Sequence, residues 1–385
     1  MSIELRNLKN ETAPMLSSET STDSGDLPRA STSTLKRRMA LIVILVLCIA
    51  AVTMTSFPDA LDHYSRGTGK IVAKTDDFLS LPLQPKQERV LGQYQYYMLP
   101  SLARRADGVL VVLHACQRSG LDFFHLPEDR LVARDALDKN LAVLSLTSQD
   151  RESGCFTESD LSTVGTIVDQ WTMLHNLGRV PRYGLAMSSG ASFLFFAHRT
   201  LKLNGMAVYS TPQSFLEADV ETSKLIPTAF VSMLHDQPMA SKIRTNHNEL
   251  NRLGVSTQLF PVSPRPFTKA LCSARLPELD VDDCHKMFDV LQQDFTHFLD
   301  QDGFLAEDMT SEEWQKWFQA VGLDSKSSGY YLTTGTLSGH SWVWAAMEQE
   351  IRTCQAIHGM SSEHHSSILE FLIATGDRGS TATGG

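Results

Sequence analysis

The stretch that decides the fold is RYGLAMSSGASFLFFAHR, Arg182–Arg199. It opens as a short apolar run, turns on small residues, and continues as a strongly apolar helical pattern. Strand, sharp turn on a serine, then helix is the layout of a nucleophile elbow. The serine there sits at strained backbone angles, so its near neighbours must be small. The usual pattern is Gly-x-Ser-x-Gly, whereas this chain has Ala186-Met187-Ser188-Ser189-Gly190. Position −2 needs the lack of a bulky side chain, and alanine nearly meets that need. A small-residue turn packing a helix on a sheet would carry the same five letters, so the surrounding chain has to decide.

On either side, apolar runs alternate with helical patterns. Gly108–Cys116, Leu141–Gln149, Asn204–Thr211, Pro227–Asp236 and Val255–Pro264 read as strands. Pro127–Asn140, Ser162–Leu177 and Ser241–Gly254 read as helices. Such alternation with short joins predicts an α/β fold, a doubly wound and mainly parallel sheet. Residues 270–375 are helix-rich, with Tyr330–Leu337 the one stretch there that could be a strand. The domain is therefore expected to span 91–375, with 270–375 as a helical cover. Residues 376–385, rich in Gly, Ser and Thr, are expected to form a disordered tail.

The N-terminal part is separate. Residues 1–36 are rich in Ser, Thr, Asn and Glu and poor in aromatics, a composition that cannot offset its own ordering entropy. Met39–Phe57 contains no charged residue and is long enough to cross a bilayer. Lys36, Arg37 and Arg38 precede it, and Asp59 and Asp62 follow. The positive-inside rule then puts the tail in the cytosol and the large domain in the lumen or outside, a single-pass type II signal anchor. A cleavable signal peptide is the competing reading. Residues 58–90, with Pro82 and Pro85 and no sustained period, read as a stalk.

Of six cysteines, Cys48 lies in the apolar segment, and Cys116, Cys155, Cys272, Cys284 and Cys354 remain. A Cys272–Cys284 bridge would close a short loop and suits an oxidising compartment. The single Asn-x-Ser/Thr site, Asn10-Glu11-Thr12, falls on the expected cytosolic side. With 34 Lys and Arg against 44 Asp and Glu, the net charge of −10 argues against a nucleic-acid partner.

The chemistry follows from the fold. Ser188 is the candidate nucleophile. Ser189 opens the next helix, so its N–H is a candidate oxyanion donor favoured by the helix dipole. The second donor is expected on a loop after an early strand, where His114-Ala115-Cys116 stands, from the amide of Ala115 or Cys116. Asp236, at a strand end downstream, is the candidate acid, although an Asp there also serves as a helix N-cap. The loop after the last strand, Ser263–Ala270, contains no histidine. The general base must come from farther on, with His358 in CQAIHGMSSEHHSSILEFL as candidate and His340 in LSGHSWVW as alternative. A structural role is the ordinary alternative for any one of these histidines.

The order HACQRSGLDFF, AMSSGA, LHDQPMASKI and AIHGMSSEHHSSILEFL resembles a little-characterised group of α/β-hydrolase-like proteins known from plants, algae and other protists. Those proteins carry HGC after an early strand, a G-x-S-S-G-G elbow, a strand-end Asp and a C-terminal H-E-M-T motif. The resemblance covers about 108–375 in pieces, and implies Ser188 as nucleophile, Asp236 as acid and His358 at the H-E-M-T histidine. Ala115, Ala186 and Gly359 depart from that pattern.

Rival motifs are weaker. With Gly303 at position six of a calcium loop, positions one and twelve would be Phe298 and Met309, which cannot ligate. Asp280-Val281-Asp282 and Asp300-Gln301-Asp302 are the D-x-D patterns a type II glycosyltransferase would use, but they lie among helices rather than at strand ends. There is no G-x-G-x-x-G or Walker loop, and the adjacent pair His364-His365 is not zinc spacing, so neither cofactor nor metal is expected. The expectation is a membrane-anchored serine hydrolase of esterase or lipase type acting on a small acyl substrate. An inactive α/β-hydrolase scaffold for binding is the second class, and a secretory-pathway glycosyltransferase a distant third.

Overall fold

Apolar runs become strands here because both their faces are covered. The computed structural model describes residues 83–101, 105–211, 225–276, 279, 281–295, 297–306, 311–321 and 339–381. The strands are β1 Lys86–Val90, β2 Gln93–Met98, β3 Gly108–Leu113, β4 Leu141–Leu146, β5 Arg182–Met187, β6 Gly205–Tyr209, β7 Thr228–Met233 and β8 Thr257–Val262. They form one sheet in the order β1-β2-β4-β3-β5-β6-β7-β8. β2 runs antiparallel to β1 and β4, and every other pairing is parallel. This topology fits the α/β-hydrolase fold.

The helices are α1 Asp122–His125, α2 Pro127–Asp138, α3 Leu161–Leu174, α4 Ser189–Ala197, α5 Gln237–Arg252, α6 Lys269–Arg275, α7 Val281–Asp294, α8 Ser311–Ala320, α9 Gly339–Cys354 and α10 His365–Thr381. Alternate residues of β3 go to opposite layers, as the pleat requires. Val109, Val111 and Leu113 join the layer of Val168 and Trp171 from α3 and Phe193 from α4. Leu110 and Val112 join the layer of Val132 and Ala136 from α2 and Leu369 and Leu372 from α10. Each fully buried Val, Leu or Phe among them stabilises the fold by about 1.5–3 kcal/mol. A third cluster, with Phe267, Leu291, Trp317 and Met347, is the core of the helical cover. The Cys272–Cys284 bridge joins α6 to α7 within it.

Two boundaries differ from the sequence reading. Residues 86–90, assigned to the stalk, are the edge strand β1. The hairpin to β2 turns on Leu91 and Gly92, at φ 49° and 84°. Two positive φ values in a two-residue loop make a type I′ turn, whose usual signal is Asn-Gly. Leu-Gly hid it, and β1 itself is polar and half exposed. Likewise α10 does not stop before residue 376 but continues to Thr381. A Cβ on Gly376 would sit 2.6 Å from a ring carbon of Tyr183, so the glycine lets the helix lie flat on β5.

The tail 1–36, the expected span 39–57, the stalk up to residue 82, Tyr330–Leu337 and residues 382–385 lie outside the described residues. Among the described residues no helix is long and apolar enough to cross a membrane.

Candidate active site

Parallel β3, β5 and β7 end at the same edge of the sheet, where open α/β sheets hold their ligands. Those ends deliver His114, Ser188 and Asp236. Ser188 has φ 53° and ψ −116°, a non-glycine residue in strained backbone, while its N–H donates to Tyr209 O at 3.0 Å. Ser189 is the first residue of α4, so its N–H has no partner within the helix. Ala186 is fully buried in β5 between Leu113 and Val208, with room for its methyl group. The strict requirement lies at Gly190. A Cβ there would stand 2.6 Å from both Leu113 O and His114 O, backbone atoms that cannot yield cheaply. Gly190→Ala should therefore cost at least about 3 kcal/mol, since overpacking against backbone exceeds the usual range. A urea midpoint equal to wild type would contradict this.

The loop after β3 is tied down at several points. His114 Nε2 accepts the Ser148 N–H at 3.1 Å, so Nδ1 carries the proton and donates to Ala115 O at 2.7 Å. In a trans peptide the Cys116 N–H points opposite to that carbonyl, so the imidazole sets its direction. Cys116 is bridged to Cys155, a pairing the sequence reading did not make, and Gln117 N–H donates to Ser153 O at 3.0 Å.

Burial holds His114 neutral and pushes its pKa down to about 4. Burial, then the charge of Arg130, does the same to His125, also to about 4. Both free imidazoles titrate near 6.5, so between about pH 6.5 and 4 the unfolded chain binds more protons than the folded one. The stability these two rings contribute is complete above about pH 6.5 and lost as the pH falls towards 4, by up to about 3 kcal/mol for His114. Urea midpoints between pH 7 and 4 would test this, because His114→Gln should flatten part of the slope.

Asp236 occupies the N-cap position of α5, yet its side chain makes no cap hydrogen bond. Instead Oδ2 faces His358 Nδ1 at 3.0 Å across 122 residues of chain. The acid and base segments are also joined by backbone, His235 N–H donating to Ala356 O at 2.9 Å. The alternative base His340 lies in the first turn of α9, and its side chain is outside the described residues.

Ser188, His358, Ala115 and Cys116 line one cavity of about 540 Å³. No hydrogen bond joins Ser188 Oγ to the His358 ring, a contact that commonly tightens only with substrate bound. The sequence did not show the wall that α9 contributes. Trp344, Glu348 and Arg352, spaced by four on α9, line the cavity together with Arg118, Asp122 and Asp129. Glu348 pairs with Arg352 at 3.0 Å and with Arg118 at 3.7 Å. Gln349 donates to Asp129, whose carboxyl is pushed up to about 7 by burial. Burial also raises the Asp122 pKa. A helical period was legible in this stretch, but nothing local says which face meets a cavity.

Of the rival motifs, Asp300-Gln301-Asp302 lies wholly among the described residues. Asp300 Oδ1 accepts the N–H groups of Asp302 and Phe304 at 2.9 and 2.8 Å, so that carboxylate serves its own turn. Asp280 is outside the described residues. Among the described residues no group of His, Cys, Asp and Glu could hold a metal ion.

No protein-family model matches the sequence, and no curated protein sequence matches it. Several solved structures are similar to about half of the chain. A dienelactone hydrolase from Anabaena variabilis is 17% identical, with a TM-score of 0.36 over 48% of this chain and 88% of that one. A carboxylesterase from Mesorhizobium loti is 13% identical, with a TM-score of 0.37 over 50% and 97%. A fungal esterase from Rhizomucor miehei is 12% identical, with a TM-score of 0.37 over 48% and 76%. At such identities and scores the chemistry has to be read from the site itself.

Proposed function

We propose that the chain is a serine hydrolase of the carboxylic-ester type, using Ser188, His358 and Asp236. The observation that carries this reading is a strained Ser188 and an Asp236-paired His358 lining one cavity. Ser188 Oγ attacks the acyl carbonyl while His358 Nε2 takes its proton. Asp236 accepts from Nδ1–H and stabilises the imidazolium as it forms. The amides of Ser189 and of Ala115 or Cys116 receive the oxyanion. The imidazolium then protonates the leaving alcohol, and water activated by the same ring releases the acid. The resemblance to the plant and protist α/β-hydrolase-like group, despite its departures at Ala115, Ala186 and Gly359, supports the same three residues.

The wall built from Arg118, Asp129, Glu348 and Arg352 favours an ester with hydrogen-bonding groups over one with a long alkyl chain, because an alkyl chain would leave those groups unsolvated. The run Met39–Phe57 behind Lys36, Arg37 and Arg38 supports a type II membrane anchor, and the two disulfides support a lumenal or extracellular domain. Protease protection in sealed microsomes tests that topology.

The activity is tested on the full chain with a serine-directed fluorophosphonate and with p-nitrophenyl acetate. Labelling together with turnover supports the enzyme. Folded protein that does neither leaves the non-catalytic scaffold as the reading.

A further inference from the structure

Catalytic histidines of this fold class are expected just after the last strand, but here that loop has none and His358 lies between α9 and α10. Something must hold residues 355–362 at the sheet edge. Glu128, in the first turn of α2, has no solvent exposure. One carboxylate oxygen meets Arg265 at 2.8 Å and Arg275 at 3.7 Å. The other accepts the backbone N–H of Ser362. Arg265 also meets buried Glu350 of α9 at 3.1 Å, and its own N–H donates to Cys354 O at 2.9 Å. Gln349 of α9 accepts the Glu128 N–H at 2.9 Å. Thr353 Oγ1 donates to Met360 O at 2.9 Å, closing the segment back onto α9.

The cluster therefore joins α2, the loop after β8, the end of α6, α9 and the histidine segment. Burial pushes Glu128 up, but Arg275 and Arg265 more than offset this, and the carboxyl stays below its ordinary range. Glu350 goes the other way, raised by burial and by the Glu128 charge. One ionised carboxylate thus faces two guanidinium groups.

We propose that Glu128 is a positioning residue for the general base: held by Arg265 and Arg275, it anchors the 355–362 segment through the Ser362 amide and so sets His358 against Asp236 and Ser188. The inference rests on the hydrolase reading for its kinetic arm and stands apart from it for its structural arm. An apolar core would hold the segment against the sheet without fixing its register. A charge-assisted hydrogen bond to a single amide fixes one point of the chain four residues from the ring. A displacement of about 1 Å at a catalytic group can cost about 100-fold in rate.

Glu128→Gln in the full chain keeps the shape and removes the charge. The expected result is kcat on p-nitrophenyl acetate lower by about 10- to 100-fold, with KM changed by less than about twofold and fluorophosphonate labelling slowed in step. Amide hydrogen exchange of 355–362 should quicken about tenfold or more, with strands β3 to β7 unchanged. If Glu128→Gln does not fold, Arg265→Lys keeps a charge on the carboxylate and should give a smaller change of the same kind. A folded variant with unchanged kcat and unchanged exchange overturns the proposal. If wild type neither labels nor turns over, the hydrolase reading fails, and the exchange measurement alone then decides whether Glu128 anchors the segment.

Discussion

Ser188→Ala will lose about 10,000-fold or more in kcat/KM on p-nitrophenyl acetate, together with all fluorophosphonate labelling, while its urea midpoint moves little. The loss is expected because no other nucleophile shares the turn: Ser189 Oγ is buried and starts the helix. Little change in stability is expected because the strain belongs to the backbone. At φ 53° and ψ −116° an alanine is as uncomfortable as a serine, so the roughly 1–3 kcal/mol stored there is not released. Ser188→Gly should release part of it, raising stability by about 0.4–1 kcal/mol with the same loss of activity. A Ser188→Ala protein that retains a tenth of wild-type turnover would mean that another group does the chemistry.

The second large effect is that of Asp236→Asn, with kcat lower by about 10,000-fold and KM nearly unchanged. The carboxylate at 3.0 Å from Nδ1 can only accept, so it holds the His358 proton on Nδ1 and leaves Nε2 free to take one from Ser188. An asparagine can turn its NH₂ toward Nδ1, which stabilises the opposite tautomer and leaves Nε2 already protonated. The geometry survives and the base is lost. Steady-state kinetics with nitrogen-15 chemical shifts of the ring would show both halves. A loss under tenfold with the ring still protonated on Nδ1 would take Asp236 out of the mechanism.

The parts legible in the chain are those whose cause is local. Apolar runs and 3.6-residue periods placed β3 to β8 and most helices, because a strand covered on both faces is apolar along its length and a helix stripe repeats at its own spacing. The elbow was readable at Ala186 to Gly190, since the strain and the close approach involve neighbours in sequence. Asp236 was readable as a strand end. The β1–β2 hairpin was not, because Leu91 occupies a turn position where Asn is the usual signal.

Residues 1–36, 39–57 and the stalk as far as 82 carry their meaning in composition alone, and the membrane reading rests there. Four decisions belong to the tertiary structure. The fold sets His358 beside Asp236, 122 residues away along the chain. Cys116 pairs with Cys155 across a separation of 39 residues, although five cysteines beyond Cys48 left the pairing open. The Trp344, Glu348 and Arg352 face of α9 becomes a cavity wall. Glu128, one more acidic residue in a helical first turn, becomes the buried anchor of the histidine segment. Each depends on groups far apart in sequence that only the folded chain brings together. The energy of such contacts exists only once the sheet has brought them together.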